Sequence, residues 1–220
     1  MSGRWVLPAG RGPLVFEPGD RTAAAPGRKA VFLDRDGVLN EGAPDPDSGL
    51  LESPLQVADV RLLPGVPAAL RELAGAGYAL VCVSNQPAAA KGNATVEQLR
   101  AVHERVIELL AMEGVRLDVS LLCPHHPDGV VDGLSGPCAC RKPAPGMLLD
   151  AADALYLDVG ASWMLGDTDA DMRAGDAAGC RTVLIDYPGS AHKRSGLTNP
   201  NLRAVDLADG VAQLLDHGPG

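Results

Sequence analysis

The chain has 220 residues, 46% of them apolar, and 19 basic against 28 acidic side chains give it a net charge of −9. That length suits one well-buried domain rather than two, and the acidic balance argues against nucleic acid or an anionic membrane as partner. No apolar run nears the ~18 to 20 residues that cross a bilayer, and the N-terminus lacks a basic region followed by an apolar core, so a cytoplasmic protein is expected.

Residues 1–28 are rich in Gly, Pro, Ala and Arg and read as an N-terminal extension, partly disordered. Within them Trp5-Val6-Leu7 and Leu14-Val15-Phe16 are apolar enough to pack on a domain surface. Residues 29–220 read as a single domain. Short apolar runs predict strands over 30–34, 78–84, 118–122, 162–166 and 181–186, and helical patterns lie between them. Pro67 to Ala76 ends at Gly77; Thr95 and Gln98 resemble a capping box opening a helix whose apolar face runs through Leu99, Val102, Val106, Leu109 and Leu110. Pro145 leads into a helix over 147–156, and Asp169 to Ala178 is closed by Gly179. This alternation predicts an α/β fold, a Rossmann-like, mostly parallel sheet flanked by helices. In such a sheet ligands bind at the carboxyl ends of the strands.

Polar residues gather at those ends. Asp34 and Asp36 leave the first core strand with Gly37 turning the chain, so one carboxylate can attack phosphorus while the other moves a proton. Taken alone, the same string also fits an Asx-type turn. Ser84, Asn85 and Gln86 end the second strand as small neutral donors for a phosphate oxygen. Lys142, after Arg141, can neutralise both a nucleophilic aspartate and a transferring phosphoryl group. Asp167, Asp169 and Asp171 offer hard oxygens suited to Mg²⁺, although Asp169 reads better as a helix N-terminal acid.

A second cluster holds three of the five cysteines: Cys123-Pro124-His125-His126, then Cys138-Ala139-Cys140. An odd cysteine count concentrated this way fits a metal site in a reducing compartment better than a disulfide framework. Three thiolates and one imidazole make a closed tetrahedral set, a structural zinc site, and metal binding would order a loop over 123–140 rich in Pro and Gly. Spacing leaves His125 and His126 both open as the fourth ligand. Cys82 and Cys180 read as small core residues.

Taken in order, DxDG, a strand-end Ser-Asn, a Lys before a helix and GDxxxD resemble the four motifs of the haloacid dehalogenase (HAD) superfamily of phosphatases. The resemblance implies Asp34 as nucleophile forming an aspartyl-phosphate, Asp36 as acid/base, and Mg²⁺ held by Asp34, Asp167 and the backbone carbonyl of Asp36, with Asp171 supporting the site from its edge. The strings Cys123-Pro-His-His-Pro-Asp-Gly129 and Cys138-Ala-Cys-Arg-Lys-Pro-Ala-Pro-Gly-Met-Leu148 resemble the D-glycero-D-manno-heptose 1,7-bisphosphate phosphatase family and, more distantly, histidinol-phosphate phosphatases. That resemblance implies zinc on Cys123, His125, Cys138 and Cys140, no large cap domain, and substrate contacts from Asn85, Arg141 and Lys142. A Mg²⁺-dependent monomer removing the 7-phosphate of a heptose bisphosphate in nucleotide-heptose biosynthesis is the expectation, with a small phosphorylated sugar as its partner.

Departures from the family pattern concern specificity. The family's Thr-Asn-Gln-Ser-Gly and later Arg-Gly stand here as Ser84-Asn-Gln-Pro-Ala88 and Lys91-Gly92, and Glu41 to Pro64 is only loosely similar. Histidinol phosphate or another small phosphomonoester is the alternative substrate. A non-catalytic zinc-containing binding module is the alternative class, against which the charge of −9 and the retention of Asp34, Asp36, Lys142 and Asp167 both argue.

Overall fold

Side chains alternate along the apolar runs so that both faces of a central sheet are buried. The computed structural model describes residues 3–6, 10–18, 26–45 and 49–217. In chain order its elements are β1 (Gly3–Val6), β2 (Leu14–Pro18), β3 (Arg28–Leu33), β4 (Ala43–Pro44), β5 (Leu51–Glu52), α1 (Val66–Gly75), β6 (Ala79–Asn85), α2 (Val96–Met112), β7 (Val119–Cys123), α3 (Gly146–Leu155), β8 (Leu157–Gly166), α4 (Asp169–Ala178), β9 (Arg181–Ile185), β10 (Leu202–Ala204) and α5 (Leu207–Asp216).

Eight strands form one sheet in the order β1-β2-β7-β6-β3-β8-β9-β10, parallel from β7 to β10 and antiparallel where β1 meets β2 and β2 meets β7. This is the α/β, mostly parallel architecture expected. β1 and β2 lie within the segment read as an N-terminal extension, and the sheet runs on continuously from them; residues 1–2, 7–9 and 19–25 of that segment lie outside the described residues.

Period-two burial divides the core. Val31 and Leu33 of β3 face a layer containing Leu70, Leu73, Val102, Val106, Val211 and Leu214 of α1, α2 and α5. Ala30 and Phe32 face the opposite layer with Met147, Leu148 and Ala174 of α3 and α4. Each fully buried Val, Leu, Phe or Met among them contributes roughly 1.5–3 kcal/mol.

The helix starts follow local chemistry. Thr95 accepts from Gln98 N at 3.1 Å while the Gln98 side chain accepts from Thr95 N at 2.8 Å, the reciprocal box foreseen for α2. Two core elements lie beyond the last strand read from the sequence, β10 and α5; Asp206 caps α5 by accepting from Asp209 N at 2.9 Å.

Sheet order reverses at β3. The chain moves from β3 out to β6 and β7 on one side, then to β8, β9 and β10 on the other, which opens a crevice at the carboxyl end of β3. Among the described residues only the small β4–β5 hairpin and a 3₁₀ turn at Val57–Asp59 intervene between β3 and α1, so no large cap domain follows the first motif.

Candidate active site

Asp34 is the first residue beyond β3, and its amide donates to Leu165 O at 2.9 Å, which ties the strand end to β8. The chain then turns sharply, with Leu39 N and Asn40 N both donating to Arg35 O. Gly37 makes that turn possible. Its φ is +85°, and a Cβ there would lie 2.2 Å from Asp167 Oδ2, so any side chain would collide with the opposing carboxylate.

Lys142 comes from the loop before α3 and is buried beneath the crevice. Its ammonium contacts Asp34 Oδ1 at 2.9 Å, Asp171 Oδ1 at 2.6 Å and Val83 O at 2.7 Å, which uses all three of its donors. Burial alone would lower its pKa, but Asp171 and Asp34 outweigh that and hold it above the usual lysine value. Asn85 clamps the backbone of this lysine from both ends: its Nδ2 donates to Lys142 O at 2.9 Å and its Oδ1 accepts from Lys142 N at 3.0 Å.

Asp34, Asp167 and Asp171 bring carboxylate oxygens within 4.8 Å of one another. Three carboxylates around one ammonium leave an excess of negative charge. Asp34 is pushed up to about 6 by burial and, against the pull of Lys142, by Asp171 and Asp36. Asp167 is raised well above the ordinary range by burial, Asp34 and Asp171. Its buried Oδ1 has no hydrogen-bond partner among the described residues. Asp171 differs, because its Oδ2 accepts from Thr168 N at 3.0 Å and Thr168 Oγ1 at 2.6 Å in the box that opens α4. The donor set therefore fits a hard cation, with Asp34 and Asp167 free to turn oxygens towards it.

Asp36 is held quite differently. Arg35 grips both its oxygens at 3.0–3.1 Å, Asn40 Nδ2 donates at 2.9 Å, and Ser53 Oγ and Gln86 Nε2 donate at 2.7 Å. Burial would raise its pKa, yet the Arg35 guanidinium and these donors hold it below the usual carboxylate range. The two carboxylates of one short motif thus sit in opposite environments, a pattern that separates roles.

Of the residues singled out from the sequence, Asp34, Lys142, Asp167 and Asp171 converge. Asp169 lies on the first turn of α4, accepting from Ser195 N at 2.6 Å and Thr198 Oγ1 at 2.9 Å, as befits a helix-terminal acid. Ser84 is buried with its hydroxyl accepting from Gln86 Nε2 at 3.1 Å, and Arg141 donates to His125 O at 3.2 Å. Arg35, Asn40 and Ser53 had no assigned role. The first two lie beside Asp36 in sequence, and only Ser53 comes from a distant segment without a local signal.

The cysteine cluster closes around four atoms. Cys140 Sγ lies 3.3 Å from Cys123 Sγ, 3.5 Å from Cys138 Sγ and 3.4 Å from His125 Nδ1, and Cys123 Sγ lies 3.7 Å from Cys138 Sγ and 3.6 Å from His125 Nδ1. Those separations approach the roughly 3.8 Å edge of a tetrahedron with 2.3 Å metal–sulfur bonds. His126 is outside the cluster, its Nδ1 accepting from Asp128 N at 3.1 Å.

A HAD-hydrolase-like family model matches residues 139–214. D-glycero-beta-D-manno-heptose-1,7-bisphosphate 7-phosphatase from Yersinia pestis is 44% identical over 180 residues, 82% of this chain and 92% of that protein. The enzyme of the same name from Escherichia coli K12 is 42% identical over 156 residues, 71% of this chain and 78% of that protein. A crystal structure of D,D-heptose 1,7-bisphosphate phosphatase from B. bronchiseptica with magnesium and phosphate superposes with a TM-score of 0.70 at 33% identity, covering 86% of this chain and 99% of that one. On this identity and coverage the chain belongs to the heptose-1,7-bisphosphate 7-phosphatase family, phosphomonoester hydrolases of the HAD type.

Proposed function

We propose that this protein hydrolyses the 7-phosphate of D-glycero-D-manno-heptose 1,7-bisphosphate, as a cytoplasmic monomer serving nucleotide-heptose biosynthesis. The observation that carries the reading is the pairing of Asp34 with Lys142 at 2.9 Å beside a separately clamped Asp36.

In the first step an Asp34 oxygen forms a bond to phosphorus, the bond from phosphorus to the sugar oxygen breaks, and Asp36, ionised in the free protein, relays to that oxygen the proton carried in by the monoanionic phosphate ester. In the second, Asp36 takes a proton from water, the water oxygen bonds to phosphorus, and the phosphorus bond to Asp34 breaks, releasing phosphate. Lys142 offsets charge on Asp34 and on the phosphoryl oxygens throughout. Asp171 and Asn85 serve by fixing Lys142, from its ammonium and its backbone respectively. We assign Ser84 and Arg141 to contact with the substrate.

Asp34, Asp167 and the backbone carbonyl of Asp36 would hold Mg²⁺, which supplies charge neutralisation to the transferring phosphoryl group. Cys123, His125, Cys138 and Cys140 would hold a structural Zn²⁺, a closed set with no open position for chemistry.

The deciding experiment compares kcat/KM, with Mg²⁺ present, over both anomers of the heptose bisphosphate, histidinol phosphate and fructose bisphosphate. A heptose 1,7-bisphosphate should lead the series. A preference for histidinol phosphate would overturn the assignment of substrate, and no phosphate release from any ester would overturn the assignment of class.

A further inference from the structure

His103 on α2 is fully buried, yet neither ring nitrogen has a hydrogen-bond partner among the described residues. Trp5 and Phe16 pack against its ring with centroids at 5.8 and 6.2 Å. An aromatic or aliphatic side chain would fill that space without desolvating two polar atoms, so packing alone does not account for an imidazole there.

The same face of the sheet carries other unpartnered polar atoms. Phe16 stands opposite Ser120, and Ser120 pairs with Cys82, placing Ser120 beneath α2. Two residues further along, Leu122 pairs with Ser84, whose hydroxyl meets Gln86. Ser120 Oγ, Gln86 Oε1 and Arg35 Nη1 are all buried without a hydrogen-bond partner among the described residues. Arg35 uses Nε and Nη2 on Asp36 and is wholly buried, which leaves the two N–H groups of Nη1 in need of an acceptor. Arg35 and Asp36 are also the charges that His103 feels: burial first, then Arg35, drives the imidazole down to about 3, so it is neutral and keeps one acceptor nitrogen.

Such a set, one guanidinium donor, one amide oxygen and one neutral imidazole, offers the two to four partners that an internal water requires. We infer that a buried water links Arg35 Nη1 to His103, making His103 a positioning residue that fixes the guanidinium clamping Asp36. It acts through Arg35 and touches no reacting atom. The inference rests on Asp36 being the acid/base.

Two measurements test it. A crystal structure that resolves ordered water should show one within hydrogen-bond distance of both Arg35 Nη1 and a His103 ring nitrogen; protein atoms alone or an empty space there would overturn the inference. With p-nitrophenyl phosphate and Mg²⁺, His103→Leu should lower kcat by about 10- to 100-fold, the scale of a small misplacement of a catalytic group, with KM little changed. His103→Gln, which keeps a donor and an acceptor, should recover most of the loss. Equal kcat in wild type and a folded His103→Leu, or equal loss in both variants, would overturn the inference. Should His103→Leu fail to fold, His103→Gln and the water decide. Asp36→Asn in the same assay separates the two readings: turnover by that variant at the wild-type rate would overturn the role of Asp36 itself.

Discussion

Lys142 Nζ sits 2.9 Å from Asp34 Oδ1, on the buried side of the nucleophile. Since the same ammonium also holds Asp171 at 2.6 Å and Val83 O at 2.7 Å, it has no donor left with which to leave Asp34. The oxygen on the crevice side is thereby left to react. A lysine free to rotate would instead follow the incoming phosphate and leave the nucleophile uncompensated.

The substitution Asp34→Asn removes the nucleophile and should reduce phosphate release by about 10⁴-fold or more, as deletion of an attacking group does elsewhere. The same change also removes one of three crowded carboxylates. Without added Mg²⁺ at pH 7.5, Asp34→Asn should therefore raise the melting temperature even as activity vanishes. Differential scanning fluorimetry and a phosphate assay on one preparation check both halves, and retained turnover would refute the nucleophile.

The pH dependence of stability follows from the same crowding. Asp34 has an ordinary value of 3.8 and a folded value of about 6, so the folded state binds the proton more tightly than the unfolded chain. Stability of the metal-free protein should then rise as pH falls from above 6 towards 4, and fall as pH climbs through 6. Asp36, depressed below 3.8, is ionised in both states above about pH 5 and contributes no slope there, while below about pH 5 protonation of its unfolded form works in the opposite direction. Mg²⁺ would offset the repulsion only where the carboxylates are charged. Its addition should raise the melting temperature more at pH 7.5 than at pH 5, and an equal rise at both would contradict the assigned ligands.

Much of this site was legible because its members lie where local chemistry changes: Asp34 after an apolar strand, Lys142 before a helix, Asp167 between β8 and a capping box. Gly77 and Gly179 punctuated the helices correctly for the same reason. The clamp on Asp36 was not legible, since Ser53 reaches it from a segment with no periodicity and Gln86 looked like one more strand-end amide. Asn85 read as a phosphate contact because nothing local shows that both ends of its amide are taken by the Lys142 backbone. β1 and β2 escaped because strands of four and five residues owe their existence to pairing: β2 with β7, about a hundred residues away in the chain, and β1 with β2 in turn. β10 and α5 follow a loop rich in Gly, Asn and Ser, where three strand residues give no period to count.

Gly37→Ala should separate placement from folding. A Cβ at φ +85° would lie 2.2 Å from Asp167 Oδ2, so the turn or the carboxylate must move. Backbone strain of this kind costs about 1–2 kcal/mol, a tolerable loss of stability. A displacement of about 1 Å at the reacting groups costs about 100-fold in rate. The expected outcome is a folded variant, by circular dichroism, with kcat down by about that factor and weakened Mg²⁺ dependence. Unchanged kcat would mean that Asp167 can yield without cost.

For the cysteine cluster, Cys138→Ser removes the most exposed of the four donors while changing little volume. The loop over 123–140 has few apolar contacts of its own, with Val130 77% exposed, and its order depends on the four atoms that converge at Cys140. The same loop precedes Arg141 and Lys142 directly, and Arg141 donates to the His125 carbonyl, so losing the metal should loosen the lysine that pairs with Asp34. Metal analysis should show zinc falling from stoichiometric to well below it, the melting temperature should drop, and kcat should decline with Mg²⁺ saturating. A chelator strong enough to strip zinc from the wild type should reproduce all three effects, with zinc but not Mg²⁺ restoring them. Unchanged zinc content in Cys138→Ser would refute the ligand set, and intact kcat after complete zinc loss would show that Lys142 is held without the loop's help.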